Sequence, residues 1–139
     1  MTRFAGGPAE SPGFLLWHVT LRWQRAIAAV LAPLDLTHVQ FVLLACTYWL
    51  TGQGQTPNQL GVATQAGTDV KMASQVLRKL EDRGLIQRRI DQRDTRAKTL
   101  SMTRRGTSLA IKAIKVVEEA DAQFFDSCPP AFAQALRQL

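Results

Sequence analysis

Around Gly84 the apolar residues change their spacing. Before it, Ala73, Val76, Leu77 and Leu80 recur at i, i+3, i+4 and i+7, the stripe of an amphipathic helix that starts at Thr68 or Asp69. After it, Leu85 to Ile90 and Arg96 to Met102 alternate with period two across the polar turn Asp91 to Thr95, which reads as a hairpin. Gly84 itself stands where a helix C-terminus favours a residue free to turn left-handed. A helix that gives way within two residues to a tight hairpin constrains this chain more than any other feature.

The flanks of that unit read as helices. Phe14 to Leu34 carries Leu16, Val19, Trp23, Ile27, Val30, Leu31 and Leu34 at helical spacing, ended by Pro33 and Asp35. Thr37-His38-Val39-Gln40 has the form of a capping box, opening an apolar helix that runs to about Trp49 before Gly52 and Gly54. Thr56-Pro57-Asn58-Gln59 reads as a second capping box with Pro57 at the first helical position. The short helix it opens reaches Gln65 or Ala66, and Gly67 supplies a turn. Two short helices around a glycine turn, the second amphipathic, make a helix-turn-helix. Thr103 caps a long fifth helix with Ala110, Ala113, Ile114, Val117 and Phe124 on one stripe, and Ala131 to Leu139 forms a last short helix. The expected fold is mainly α with a small β-hairpin wing. Residues 1–13, with three Gly and two Pro, read as a flexible arm.

Charge narrows the function. The net charge is +6, yet residues 71–105 alone hold eleven basic side chains against Glu81, Asp82, Asp91 and Asp94. Such a concentrated positive block is the footprint expected for a polyanion, and an anionic membrane surface would also fit it. No apolar stretch is long enough to span a bilayer, and the first 13 residues lack the apolar segment of a signal peptide. Two cysteines, Cys46 and Cys128, cannot form a disulfide framework or a zinc ribbon, so a reduced cytoplasmic setting is expected. With His18 and His38 the only histidines, and neither in a catalytic pattern, no metal, cofactor or enzymatic site is expected.

With the apolar face turned inward, Lys71, Ser74, Gln75 and Arg78 fall largely on the opposite side of the fourth helix, next to Lys79. They offer an ammonium, a hydroxyl, an amide and a guanidinium, suited to base edges and phosphates in a major groove. The hairpin adds Arg88, Arg89, Arg93, Arg96 and Lys98; Arg88 and Arg89 point to opposite faces, so only one of them can touch DNA.

Four motifs in order carry a family likeness. They are Leu36-Thr37 with Gln40-Phe41-Val42-Leu43-Leu44, then Leu80-Glu81-Asp82-Arg83-Gly84-Leu85-Ile86, then Asp91-Gln92-Arg93-Asp94-Thr95-Arg96, and Met102-Thr103-Arg104-Arg105-Gly106. Over residues 14–139 the chain resembles the MarR family of bacterial transcription regulators. The resemblance implies a winged helix-turn-helix over 36–105, with 14–35 and 106–139 as the helices of a homodimer. It implies that double-stranded DNA, a pseudo-palindromic operator, is the partner, and that regulation is most often repression. Arg96 becomes the arginine expected in the minor groove and Asp94 the residue that fixes the wing. The family often has an acidic residue where Arg78 stands, so that brace does not carry over.

Family members commonly release DNA when a small aromatic acid enters a cleft. Trp17, His18, Trp23, Tyr48 and Trp49 could line one; the plain alternative is core and dimer packing. Two further readings stay open: a protein-interaction module using the basic wing, and a thiol-based redox sensor using Cys46 or Cys128. For the second, Cys46 lies in an apolar helix and Cys128 before two prolines, neither a setting that activates a thiol.

Overall fold

In a computed structural model covering residues 1–139, the local signals form helices in the expected order. Helix α1 spans Pro12–Leu31, and Ser11 caps it by accepting the N–H of Phe14. It therefore starts two residues before the expected Phe14, and a 3-10 turn at Pro8–Glu10 precedes it within the stretch read as an arm. A second 3-10 turn, Ala32–Leu34, follows, and Asp35 reverses the chain with φ 55°, the only non-glycine residue with positive φ. Helix α2, His38–Gly52, opens with the capping box in full: Thr37 Oγ1 accepts Gln40 N–H and Gln40 Oε1 accepts Thr37 N–H.

The second expected capping box is a correction. Helix α3 spans Gln59–Ala66, and its cap is Asn58, whose Oδ1 accepts the Gly61 N–H at 2.7 Å. Pro57 lies outside the helix. Its carbonyl accepts the Leu100 N–H at 2.8 Å, and Asn58 bridges Thr99, so residues 57–58 form a third edge on the hairpin. A proline carbonyl can join such a ladder although its nitrogen cannot. Gly67 turns left-handed with φ 73°, and helix α4, Val70–Asp82, starts from the Asp69 cap.

Gly84 also has φ 73°, and its neighbour Leu85 is buried at the foot of the hairpin. Strands β1, Ile86–Ile90, and β2, Lys98–Met102, pair antiparallel with Ile86 opposite Met102 and Ile90 opposite Lys98. β2 is shorter than expected, because Arg96 and Ala97 belong to the turn. Helix α5, Arg104–Phe124, starts at Thr103, whose Oγ1 accepts Gly106 N–H and donates to the Gly84 carbonyl at 2.6 Å. Helix α6, Phe132–Arg137, is largely exposed and rests Phe132 against Phe125.

One apolar core joins these elements. Ile27 and Leu31 of α1 meet Leu43 and Leu44 of α2, Val62 of α3, Leu77 and Leu80 of α4, Ile86 and Leu100 of the hairpin, and Ala110 and Ala113 of α5. Thr47 is buried among them with its hydroxyl satisfied by the Leu43 carbonyl. The first half of α1 is different. Phe14, Leu15, Leu16, Trp17 and Leu21 all stay exposed, so the apolar stripe of α1 joins the core only in its second half.

Candidate nucleic-acid interface

Helix α4 presents two faces. Ala73, Leu77 and Leu80 are buried, while Lys71, Gln75, Arg78 and Lys79 are exposed and Ser74 is half-buried. None of the four basic or amide side chains on the outer face meets an acidic partner. Solvated cations without internal partners are free to exchange their counterions for phosphates.

The two arginines of β1 separate as the strand alternation requires. Arg88 turns inward with its side chain only 8% exposed; Nε donates to Glu81 Oε1 at 3.1 Å and Nη1 to Gln59 Oε1 at 2.9 Å. Glu81 Oε2 also accepts the backbone N–H of Arg88. Burial works against ionisation of Glu81, yet the Arg88 backbone N–H and guanidinium outweigh it, with Lys98 adding to the pull. Together they hold the carboxyl below its ordinary range. Arg88 is thus a strut between wing, α3 and α4, and Arg89 is the exposed member of the pair.

Beyond the strands, Arg93 and Arg96 stand on the exposed turn. Two Asx-type contacts shape it: Asp91 Oδ1 accepts Arg93 N–H at 2.8 Å, and Asp94 Oδ1 accepts Arg96 N–H at 3.1 Å. Arg96 Nε also lies 3.4 Å from Asp94 Oδ1, but the arginine side chain remains 92% exposed. An exposed pair of this kind is worth little and yields readily to a stronger anion.

Sequence reasoning missed one tether. Arg83 Nη1 donates to the Asp35 carbonyl at 2.7 Å and lies 3.4 Å from Gln40 Oε1, while Nη2 pairs with the Asp35 carboxylate at 3.7 Å. The residue that ends α4 therefore grips the corner between α1 and α2. No local pattern signals a contact across 48 residues.

The five aromatics proposed for an effector cleft do not come together in the protomer. Trp17 is exposed near the start of α1, and His18 stacks edge-on with Phe14. Trp23 donates from Nε1 to Asp121 at 2.9 Å and meets the ring of His38, tying α1 to α5 and α2. Tyr48 and Trp49 share a surface cleft with Met102 and Thr107. The reason is rotational: at about 100° per residue, Trp17 and His18 leave α1 roughly 120–140° around the helix from Trp23. A separate cleft of ≈ 440 Å³ lies at the α1–α2 joint, lined by Leu21, Gln24, Arg25, Ala28 and His38. Burial lowers the pKa of His38 and raises that of the Cys46 thiol, which favours the unreactive thiol form. No group of three or more His, Cys, Asp or Glu side chains is placed to hold a metal ion, and no single helix is long and apolar enough to cross a membrane.

A helix-turn-helix backed by a basic hairpin defines a winged-helix DNA-binding regulator of transcription, not an enzyme. Comparison with known proteins makes this specific. The sequence profile of the MarR family matches residues 36–98. An uncharacterized HTH-type transcriptional regulator of Bacillus subtilis, YdcH, is 43% identical over 119 residues, covering 86% of this chain and 81% of the relative. The HTH-type transcriptional repressor Rv2887 of Mycobacterium tuberculosis is 33% identical over 111 residues, 80% of this chain and 77% of the relative. Among solved structures, CouR of Rhodococcus jostii RHA1, crystallised with p-coumaroyl-CoA, superposes with a TM-score of 0.80 at 26% identity, over 95% of this chain and 90% of CouR. The chain belongs to the MarR family.

Proposed function

We propose that the chain works in the cytoplasm as a homodimeric repressor that holds a pseudo-palindromic operator and releases it when a small aromatic acid binds. The observation that carries this is the set of exposed side chains left without an acidic partner on one helix face and the hairpin beside it: Lys71, Gln75, Arg78 and Lys79 on α4, with Arg89, whose guanidinium reaches only the Gln87 amide at 3.4 Å, and Arg93 on the wing. Ser74 adds a hydroxyl to the helix, and Arg96 reaches into the adjacent minor groove from the turn shaped by Asp94.

Dimerisation is supported by the uncovered first half of α1. Five large apolar side chains within eight residues are more than a monomer ordinarily exposes in one place. A two-fold pairing through α1, α5 and α6 sets two copies of α4 about one duplex turn apart.

The effector reading moves from the five aromatics to the α1–α2 cleft. Arg25 offers a guanidinium to a carboxylate, Leu21 and Ala28 offer apolar wall, and His38 a ring nitrogen. The aromatic acyl group of the ligand in CouR is consistent with such a molecule. Release requires that the acid bind the DNA-incompetent spacing of the two heads more tightly than the competent one.

The test is duplex binding across a salt series, using fragments enriched from random duplex DNA. Log affinity is expected to fall linearly with log salt. Arg96→Ala is expected to weaken binding about tenfold or more. Sedimentation is expected to give a dimer at micromolar concentration. Salt-independent duplex affinity refutes the DNA site, and a monomer refutes the two-half-site arrangement.

A further inference from the structure

The first turn of α4 combines a closed polar end with an open apolar one. Asp69 caps the helix, its Oδ1 accepting the Met72 N–H at 2.8 Å, so a carboxylate already sits at the positive end of the helix dipole. That anion disfavours approach of a backbone phosphate to this end. Beside Lys71, the residues exposed in this turn are apolar: Val70 is 44% and Met72 42% exposed. Neither belongs to the core, which α4 reaches through Ala73, Leu77 and Leu80.

Helical spacing relates these two side chains to the candidate DNA donors. Met72, Gln75 and Lys79 stand at i, i+3 and i+7, one row along the helix surface; Val70, Ser74 and Arg78 stand at i, i+4 and i+8, a second row. Each row begins with an apolar residue and continues with residues that donate hydrogen bonds. In helix-turn-helix docking the N-terminal part of the second helix meets the base edges. The apolar residues therefore lie at the end that meets bases, on either side of Lys71, with Arg78 and Lys79 toward the other end.

We propose that Val70 and Met72 read thymine, packing against its C5-methyl group in each half-site. The thymine methyl is the one apolar feature on the major-groove edges of the four bases. Opposite any other base edge, these side chains would strip water from donors and acceptors without replacing the lost hydrogen bonds. Lys71, Arg78 and Lys79 around them supply the positive charge that brings the groove to this surface. The inference rests on the reading that α4 enters the groove, and its test separates the two.

Wild-type protein is titrated with an enriched operator duplex and with the same duplex carrying uracil for thymine at one position at a time. Uracil pairs identically and lacks only the methyl group. At one or two positions per half-site the change is expected to weaken binding about fourfold, the equivalent of one buried methyl-sized group. Val70→Ala and Met72→Ala are each expected to abolish the thymine-to-uracil difference at its own position and leave the salt slope unchanged. Duplex binding that is indifferent to uracil everywhere overturns the proposal while leaving DNA binding intact. A uracil penalty that survives in both variants overturns it too, as does a change of oligomeric state in the variants without any uracil effect, which assigns the patch to a second protein chain. Absence of salt-dependent duplex binding in the wild type overturns the underlying reading instead.

Discussion

Gly106 occupies the third position of α5, directly against the start of the hairpin. A Cβ at this residue would lie 1.8 Å from the Leu85 carbonyl oxygen and 2.7 Å from its carbon. Both are backbone atoms, so no side-chain rotation relieves the clash. To restore an ordinary carbon–oxygen contact, α5 must withdraw by about 1.5 Å. That shift breaks the Thr103 N–H bond to the Leu85 carbonyl and strains the Thr103 hydroxyl bond to the Gly84 carbonyl. Overpacking costs about 1–3 kcal/mol, and each hydrogen bond lost about 1 kcal/mol. Replacing glycine in a helix returns about 1 kcal/mol. Gly106→Ala is therefore expected to destabilise the protein by about 2–3 kcal/mol, lowering the melting temperature by about 5–10 °C. Thermal unfolding of variant and wild type at one fixed protein concentration measures this. Gly52→Ala is the control: nothing lies within 4 Å of the added Cβ, and a gain of about 0.5 kcal/mol is expected. Should Gly106→Ala match or exceed the wild-type midpoint, the close approach of α5 to Leu85 is not a constraint on the fold.

Three further outcomes are expected. Glu81→Gln leaves Arg88 without its charged partner and costs about 1 kcal/mol, discounted for the partial exposure of the carboxyl. Because Glu81 has a lowered pKa in the folded protein, its contribution is full above the ordinary carboxylate range and disappears as pH falls through the lowered value; the variant should lack that acid-labile component in denaturant titrations. Burial also lowers the His38 pKa, so stability is full above the ordinary histidine value of 6.5 and declines as pH falls below it toward the lowered value, where the folded ring takes its proton; a wild-type stability loss over that range that persists unchanged in His38→Gln would contradict this. Arg83→Ala releases α4 from the Asp35 corner and should reduce operator affinity several-fold with an unchanged salt slope; a shallower slope would mean that Arg83 touches phosphate instead.

Features encoded by neighbouring residues were legible in the sequence. The Thr37–Gln40 box, the Thr103 cap and the left-handed glycines 67 and 84 depend on contacts within a turn, and all stand where the spacing put them. The segment at Thr56-Pro57 was misread because its carbonyl pairs with Leu100, more than forty residues away; the local motif was satisfied equally well by a helix start. Strand alternation separated Arg88 from Arg89, yet only the packed structure identifies Glu81 and Gln59 as the inward partners. The grouping of the aromatics within one protomer was not legible for a related reason. Which of Trp17, Trp23 and Trp49 share a space depends on how helices cross, and periodicity along one helix carries no information about its neighbour's rotation. Gly106 belongs to the motif that follows the wing, but its purpose emerges only with Leu85 laid against it.

The pairing of residues 57–58 with β2 has a mechanical consequence. Because it engages Thr99 and Leu100, the hairpin is held almost to its far end, and the overhang is only the span from about Ile90 to Lys98. A cantilever that short deflects little, so Arg93 and Arg96 reach a duplex from a nearly fixed mount. Extra residues in the overhang would lengthen the wing's reach without loosening its root, which makes this segment the place where the reach of the wing can change while the rest of the head stays as it is.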